Sequence, residues 1–327
     1  MKKIINEATE VENELIEGFI LAESKRLQRL NDANTLIRRN LNPDKVAVIT
    51  GGGSGHEPAH IGYVGFGMLD AVVAGSIFSS PTPTAIFEAI NAVKTDRGVL
   101  CIVKNYTGDI ISFDMAIEKA RSLGIKVDKV VVDDDVATQD NEIGRRGVAG
   151  TIFVHKIAGA AAETGAELET VKEIAQKTID NVRSMGMAIS PCIIPASGVR
   201  SFELDESEME IGTGIHGEPG IYREKLTKAD EIVKEMLDRI LNDLDYNGKE
   251  VIVMINGMGA TPMMELFIVN KFLNFYLKRN GVKIYDTMIG NFMTSIEMAG
   301  FSLTLLRLDE ELKAYYNAAA DTFAWKK

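Results

Sequence analysis

Two cysteines, Cys101 and Cys192, are too few for a disulfide framework. Both sit in apolar, strand-like runs, and a reducing cytoplasm is the compartment this leads one to expect. Positive charge is also short. The 36 Lys and Arg against 47 Asp and Glu leave a net charge of −11, which argues against nucleic acid or an anionic membrane as partner. No apolar run nears the roughly 20 residues of a membrane span. The start, Met1-Lys2-Lys3-Ile4-Ile5-Asn6-Glu7, turns acidic before a signal-peptide core can form. Low-complexity stretches and long linkers are missing as well. What remains, 46 % hydrophobic and 25 % charged residues, is ordinary globular composition. Single cores stop growing near roughly 250–300 residues, so a chain of 327 leads to the expectation of two domains.

The chain is organised around Val46-Ala47-Val48-Ile49-Thr50-Gly51-Gly52-Gly53-Ser54-Gly55-His56-Glu57-Pro58-Ala59-His60, where strand-like residues run into four glycines in five positions. A glycine turn after a strand can present several N–H groups to an oxygen-rich ligand, and α/β sheets bind ligands at strand carboxyl ends. A plain strand-to-helix corner would read similarly, but it has no need of an imidazole at His56. A nucleotide phosphate loop would carry Lys and then Ser or Thr after its last glycine; His56-Glu57-Pro58 stands there instead. The G-x-G-x-x-G spacing is not cleanly met either. A small polar ligand is expected rather than a nucleotide.

Apolar periodicity predicts a helix over 10–30, strands over 46–49, 70–74, 98–103 and 129–132, and helices ending near 93 and spanning 110–123, 152–163 and 168–185. Strands and helices alternating at these lengths predict a parallel sheet covered on both faces. Near 187 the pattern changes. Ala188-Ile189-Ser190-Pro191-Cys192-Ile193-Ile194-Pro195 is the expected junction, followed by a hairpin or edge strand over 202–211. Helices over 227–241 and 262–278 and strands over 251–255, 282–288 and 302–308 complete the chain. The expected architecture is α/β, with two α/β domains (1–186 and 187–327), mainly parallel sheets, and a site at strand carboxyl ends near the junction.

Two of the four histidines lie in glycine-rich loops: His56, and His216 in Gly212-Thr213-Gly214-Ile215-His216-Gly217-Glu218-Pro219-Gly220. These are candidates for acid–base or nucleophilic work, the alternative being that each merely holds its loop. His60 reads as structural and His155, mid-helix among apolar residues, as core. Lys104 and Asp109 leave the 98–103 strand in Lys104-Asn105-Tyr106-Thr107-Gly108-Asp109. If that strand parallels 46–49, His56, Lys104 and Asp109 can converge on one edge; a helix N-cap is the other reading of Asp109. Asp133-Asp134-Asp135 suggests a divalent cation, but adjacent carboxylates diverge and no His or Glu completes a ligand set. It reads as a loop cap, and no metal is expected. Asn256-Gly257-Met258-Gly259 reads as a tight strand–helix turn near a domain or dimer interface.

These stretches, together with Gly144-Arg145-Arg146-Gly147-Val148-Ala149 and the terminal Phe323-Ala324-Trp325, span essentially the whole chain in one order. They resemble dihydroxyacetone kinase, and more narrowly the dihydroxyacetone-binding K subunit of the bacterial phosphoenolpyruvate-dependent (phosphotransferase-system) type. The resemblance implies a cytoplasmic two-domain α/β subunit of glycerol metabolism that forms a homodimer. It implies that His216 attacks the carbonyl carbon of dihydroxyacetone through Nε2, giving a hemiaminal. Gly53, Ser54, Gly55, His56, Lys104 and Asp109 would hold the substrate, and His56 and Asp109 would help remove the proton of the hydroxyl that receives the phosphoryl group.

The phosphoryl donor it implies is a separate L subunit carrying ADP and Mg, recharged by a phosphotransferase M subunit. No cofactor is expected in this chain, in keeping with its missing nucleotide loop. The rival is a dihydroxyacetone-sensing paralogue that co-activates transcription. It would keep His216, whereas the presence of both Asp109 and His56 favours the enzyme. A stand-alone ATP-dependent kinase is disfavoured by the missing nucleotide site. Two stretches depart from the family pattern and bear on dimer or partner surfaces: Ala22-Glu23-Ser24-Lys25-Arg26-Leu27-Gln28-Arg29-Leu30 and Asp140-Asn141-Glu142-Ile143.

Overall fold

A computed structural model describes residues 2–31, 33–138 and 144–327, so the divergent Asp140-Asn141-Glu142-Ile143 stretch lies outside the described residues. Among the described residues the chain forms twelve strands and eight α-helices, arranged around two six-stranded sheets. The α/β class is as expected.

The first sheet holds β1 (Leu27–Arg29), β2 (Thr35–Arg38), β3 (Ala47–Ser54), β4 (Ala71–Ile77), β5 (Val99–Lys104) and β6 (Val127–Val132), in the order β1-β2-β4-β3-β5-β6. Three of its five pairings run as the alternating pattern predicts: β3 lies parallel to both β4 and β5, and β5 parallel to β6. β1 and β2 add an antiparallel edge. The pleat sends alternate side chains to opposite faces. Thus Val99, Cys101 and Val103 pack with α2 (Pro83–Val93) and α3 (Thr107–Ser122), while Leu100 and Ile102 pack with α4 (Thr151–Glu163) and α5 (Leu168–Asp180). The start of α2 follows from its sequence: Pro83 opens the helix and the Thr82 hydroxyl accepts from Ala85 N–H.

The second sheet is where the expectation fails. Its strands β7 (Val182–Ser190), β8 (Glu208–Ile211), β9 (Tyr222–Lys225), β10 (Glu250–Gly257), β11 (Lys283–Gly290) and β12 (Ala299–Leu308) run in the order β11-β10-β12-β7-β8-β9. Only β10 and β11 pair in parallel; the other four pairings are antiparallel. Direction is set by the connections rather than by strand composition. The helix α7 (Met263–Arg279) carries the chain back for a parallel β11, whereas β12 follows β11 after only eight residues.

The change of sheet also comes earlier than expected. The helix read over 168–185 ends at Asp180, and residue 187 lies inside β7. The helix read over 10–30 divides into α1 (Val11–Glu23) and β1. Helices α6 (Ala229–Asp243) and α7 cover one face of the second sheet. Its other face shares a core with α4: Ile252, Met254 and Leu306 join Val48, Leu100 and Ile102 of the first sheet around Ile152, Phe153 and Ile157. Helix α4 is buried along nearly its whole length, as its all-round apolar sequence requires. The short α8 (Glu310–Asn317) packs against it. No described helix is long and apolar enough to cross a membrane.

Candidate functional site

Because β3 and β5 are parallel, their carboxyl ends open on the same edge. Glycines 51–53 are not a loop, as the sequence suggested, but the last part of β3. They are needed for close approach. A Cβ at Gly51 would sit 2.9 Å from the Val73 carbonyl oxygen, one at Gly53 2.7 Å from Ser79 N, and one at Gly52 would fall on the Lys104 ammonium. The turn itself comes at Gly55, whose φ of 98° favours glycine.

His56 follows at once and is fully buried. Its Nδ1 lies 2.8 Å from the Thr294 carbonyl oxygen, so Nδ1 carries the ring proton and Nε2 keeps its lone pair. Nε2 has no protein partner among the described residues. Burial, then the charges of His216 and Lys104, hold His56 well below the ordinary histidine range. The imidazole is neutral near pH 7 and able to take a proton. The segment that fixes it is built by Asn256, the last residue but one of β10. Its buried side chain donates to Met293 O at 2.7 Å and accepts from Phe292 N and Met293 N at 2.8 and 2.9 Å. Thr294 N and Ile296 N then bond back to His56 O and Gly55 O. The sequence read Asn256-Gly257-Met258-Gly259 only as a tight strand–helix turn.

His216 sits between the paired strands β8 and β9. Its ring centroid is 4.8 Å from that of His56, 4.8 Å from Tyr106 and 5.2 Å from Phe78, so aromatic edges wall it on several sides. Nδ1 donates to Glu218 Oε1 at 2.7 Å, and the other carboxylate oxygen accepts the His216 backbone N–H at 2.9 Å. This selects the tautomer with a free Nε2 lone pair, the requirement for a nucleophile. Burial pushes the Glu218 carboxyl up, but the His216 hydrogen bond and the charges of His216 and Arg146 outweigh it and bring the group to about 2. Arg146 in turn bonds Asp135 at 2.8 Å and the Gly212 carbonyl at 2.7 Å, tying the loop's root to the first sheet.

Lys104 is the last residue of β5, and Asp109 lies in the first turn of α3 rather than at its cap. Both are buried, and the ammonium is 3.3 Å from Asp109 Oδ2. Its second partner is His60 Nε2 at 3.2 Å. His60, held well below its ordinary value by burial and then by the Lys104 charge, stands edge-on to His155 at 5.2 Å. Ser54 and Gly55 are less available than expected. The Ser54 hydroxyl donates to Gly75 O at 2.7 Å, and the Gly55 N–H donates to the Glu57 carboxylate. Gly53 packs under the Phe78–Ser79 backbone.

Asp134 caps the approach to α4, accepting from Val148 N and Gly150 N at 2.8 Å each, as the cap reading proposed. Among the described residues no group of three His, Cys, Asp or Glu side chains is placed to hold a metal ion. Of the residues the sequence missed, Glu218 could have been found, since it is an acid two positions from a loop histidine. Phe78 carries no signal beyond an ordinary packing residue, and Tyr106 and Asn256 stand in stretches already singled out but were given no role in the site.

The arrangement is that of a small-molecule site: two imidazole lone pairs, one ammonium and two carboxylates, Asp109 and Glu218, gathered between two sheets. Residues 17–324 match the Dak1 domain, and the chain belongs to that family. It is 47 % identical over 329 residues to the dihydroxyacetone-binding subunit DhaK of PTS-dependent dihydroxyacetone kinase 1 from Listeria innocua, covering 99 % of this chain and 100 % of that one. Identity to the corresponding subunit of the PEP-dependent kinase of Escherichia coli is 41 % over 358 residues, with both chains fully covered. Among solved structures, the dihydroxyacetone kinase operon co-activator Dha-DhaQ superposes with a TM-score of 0.92 at 36 % identity, covering 98 % of this chain and 99 % of that one. The dihydroxyacetone kinase of C. freundii gives 0.91 at 39 % identity, covering 99 % of this chain and 60 % of the longer kinase.

Proposed function

We propose that this chain is the dihydroxyacetone-binding subunit of a phosphotransferase-type dihydroxyacetone kinase. The observation that carries the reading is the His216–Glu218 pair, with Nδ1 held at 2.7 Å and the ring 4.8 Å from a second imidazole. The Nε2 lone pair of His216 forms a bond to the carbonyl carbon, the π electrons pass to the oxygen, and that oxygen takes up one proton. Nothing leaves, and the ring's positive charge stays beside Glu218. A ketone undergoes this addition and glycerol does not, so the bond selects the substrate before any hydroxyl contact counts. It also fixes the substrate and lowers the entropic part of the barrier.

Lys104 orients a substrate oxygen, while His56 and Asp109 assist removal of the terminal hydroxyl proton as the phosphoryl group arrives. Phosphoryl transfer asks mainly for positioning and charge handling, and the donor is a separate L subunit carrying ADP and Mg, recharged by an M subunit. The subunit works as a homodimer in the cytoplasm. The test is a reconstituted relay of phosphoenolpyruvate, M subunit, L subunit–ADP and this chain. Dihydroxyacetone phosphate should form, and its absence with working controls would refute the reading.

A second reading is favoured by one observation, the superposition on the Dha-DhaQ co-activator. In that case the chain binds dihydroxyacetone and a transcription regulator without catalysis. Adduct formation with no turnover in the same relay would select it. The presence of both His56 and Asp109 supports the enzyme.

A further inference from the structure

We infer that His60 is a positioning residue: it takes one hydrogen of the Lys104 ammonium so that, with Asp109 taking another, the third is left for a substrate oxygen. The inference rests on the proposed function for its substrate, but its structural half stands without one. An ammonium has three donors and no acceptor. At 3.2 Å from Lys104 Nζ, His60 Nε2 must therefore be the accepting nitrogen. Lys104, His60 and Asp109 are all buried, so hydrogen bonds that water gave the ammonium have to be replaced by fixed partners. Among the described residues it has two, His60 and Asp109.

The slot is purpose-shaped. Gly52 lies against both groups, and a Cβ there would fall on Lys104 Nζ and come within 3.4 Å of His60 Nε2. His155, from the buried helix α4, stands edge-on to the His60 ring and limits its rotation. Without His60 the ammonium keeps one partner, Asp109. It can then settle fully on that carboxylate, which withdraws the cation from the substrate and occupies the oxygens that would accept a proton.

The experiment compares His60→Leu, His60→Gln and Gly52→Ala, each in the native and the Lys104→Met background, by titrating dihydroxyacetone adduct formation and by relay turnover. His60→Leu should raise the half-saturating dihydroxyacetone concentration on the order of tenfold, the loss typical of one hydrogen bond to a charged group. His60→Gln, whose amide oxygen can accept, should recover part of it. Gly52→Ala should match His60→Leu by displacing the ammonium while leaving the imidazole in place, and it keeps the test open if His60→Leu does not fold. In the Lys104→Met background none of the three should matter further. Equal losses in both backgrounds would make His60 a packing residue and overturn the inference. A separate arm needs no substrate: the Lys104 ammonium signal of 15N-lysine-labelled protein should be protected in the native chain, partly protected in His60→Gln, and exchange rapidly in His60→Leu and Gly52→Ala. Unchanged protection would overturn the inference even if adduct formation, and with it the proposed function, had failed.

Discussion

Glu218→Gln isolates what the carboxylate does for His216, because the side chain keeps its shape and loses its charge. Glu218 falls from an ordinary 4.5 to about 2 in the folded chain, against burial and through its bond to His216 and the charges of His216 and Arg146. That displacement corresponds to roughly 3 kcal/mol in favour of the carboxylate. The side chain is 28 % exposed, so we take about 2 kcal/mol after solvent screening. As the nucleophile attacks, its ring becomes cationic, and the same interaction stabilises the transition state. Two kcal/mol is on the order of a 30-fold change in rate. A glutamine can also turn its NH2 toward Nδ1, which places the ring proton on Nε2 and removes the attacking lone pair. The rate of adduct formation, followed through the labelled carbonyl carbon of dihydroxyacetone by 13C NMR, should therefore fall at least on that order. The folded carboxyl is depressed, so its stabilisation is fully present above the ordinary 4.5 and is lost as pH drops toward 2. The stability difference between native chain and variant should accordingly be constant from about pH 6 to 8. Adduct formation within about threefold of native would refute the role assigned to Glu218.

His216→Ala should show no dihydroxyacetone adduct in native mass spectrometry, where the unsubstituted chain shows one per subunit. Asp109→Asn should still form the adduct but lose turnover in the relay; unchanged turnover would remove Asp109 from the proton-transfer step. Asn256→Ala strips the 292–294 segment of its buried anchors and should cost about 3 kcal/mol in urea unfolding, with adduct formation falling alongside as Thr294 releases His56. Burial and then the Lys104 charge push His155 down to about 3, so it is neutral when folded and protonates near 6.5 when unfolded. Its contribution is present above 6.5 and lost as pH falls toward 3, the loss reaching about 2 kcal/mol by about pH 5. His155→Leu should shrink the stability gap between pH 7 and 5 by about that amount.

The first half of the fold was legible because β3, β5, α2 and α4 each carry one unmixed signal: a short apolar run, a Thr-Pro start, or an apolar helix. The second sheet was not, since Val251 or Leu303 fits a parallel or an antiparallel neighbour equally well and only the connections decide. The 182–185 run could extend α5 by periodicity; pairing with β12 makes it strand. In the site, His56, Lys104, Asp109 and His216 stood out as rare chemistry in glycine-rich surroundings. Glycines 51–53 were visible but misread, because a demand for close approach looks the same in sequence as a demand for a turn. His60 was read as structural, and its 3.2 Å contact with a buried ammonium, from a residue 44 positions away, is visible only once the chain is folded.

The segment anchored by Asn256 also bears on how such proteins can be recombined. The nitrogen that fixes the His56 tautomer answers to Thr294, 238 residues away and in the other sheet's territory. His216 lies between two strands of that second sheet as well, while Lys104 ends a strand of the first and His60 and Asp109 lie in the segments that follow its strands. A chimera that joined the first half of this chain to the second half of a relative could keep every pocket residue and still be inert. What it has to inherit intact is the seam of Asn256, the 291–296 stretch and residues 55–57. Shuffled libraries that keep this seam from one parent should yield active members at a higher rate than libraries that split it.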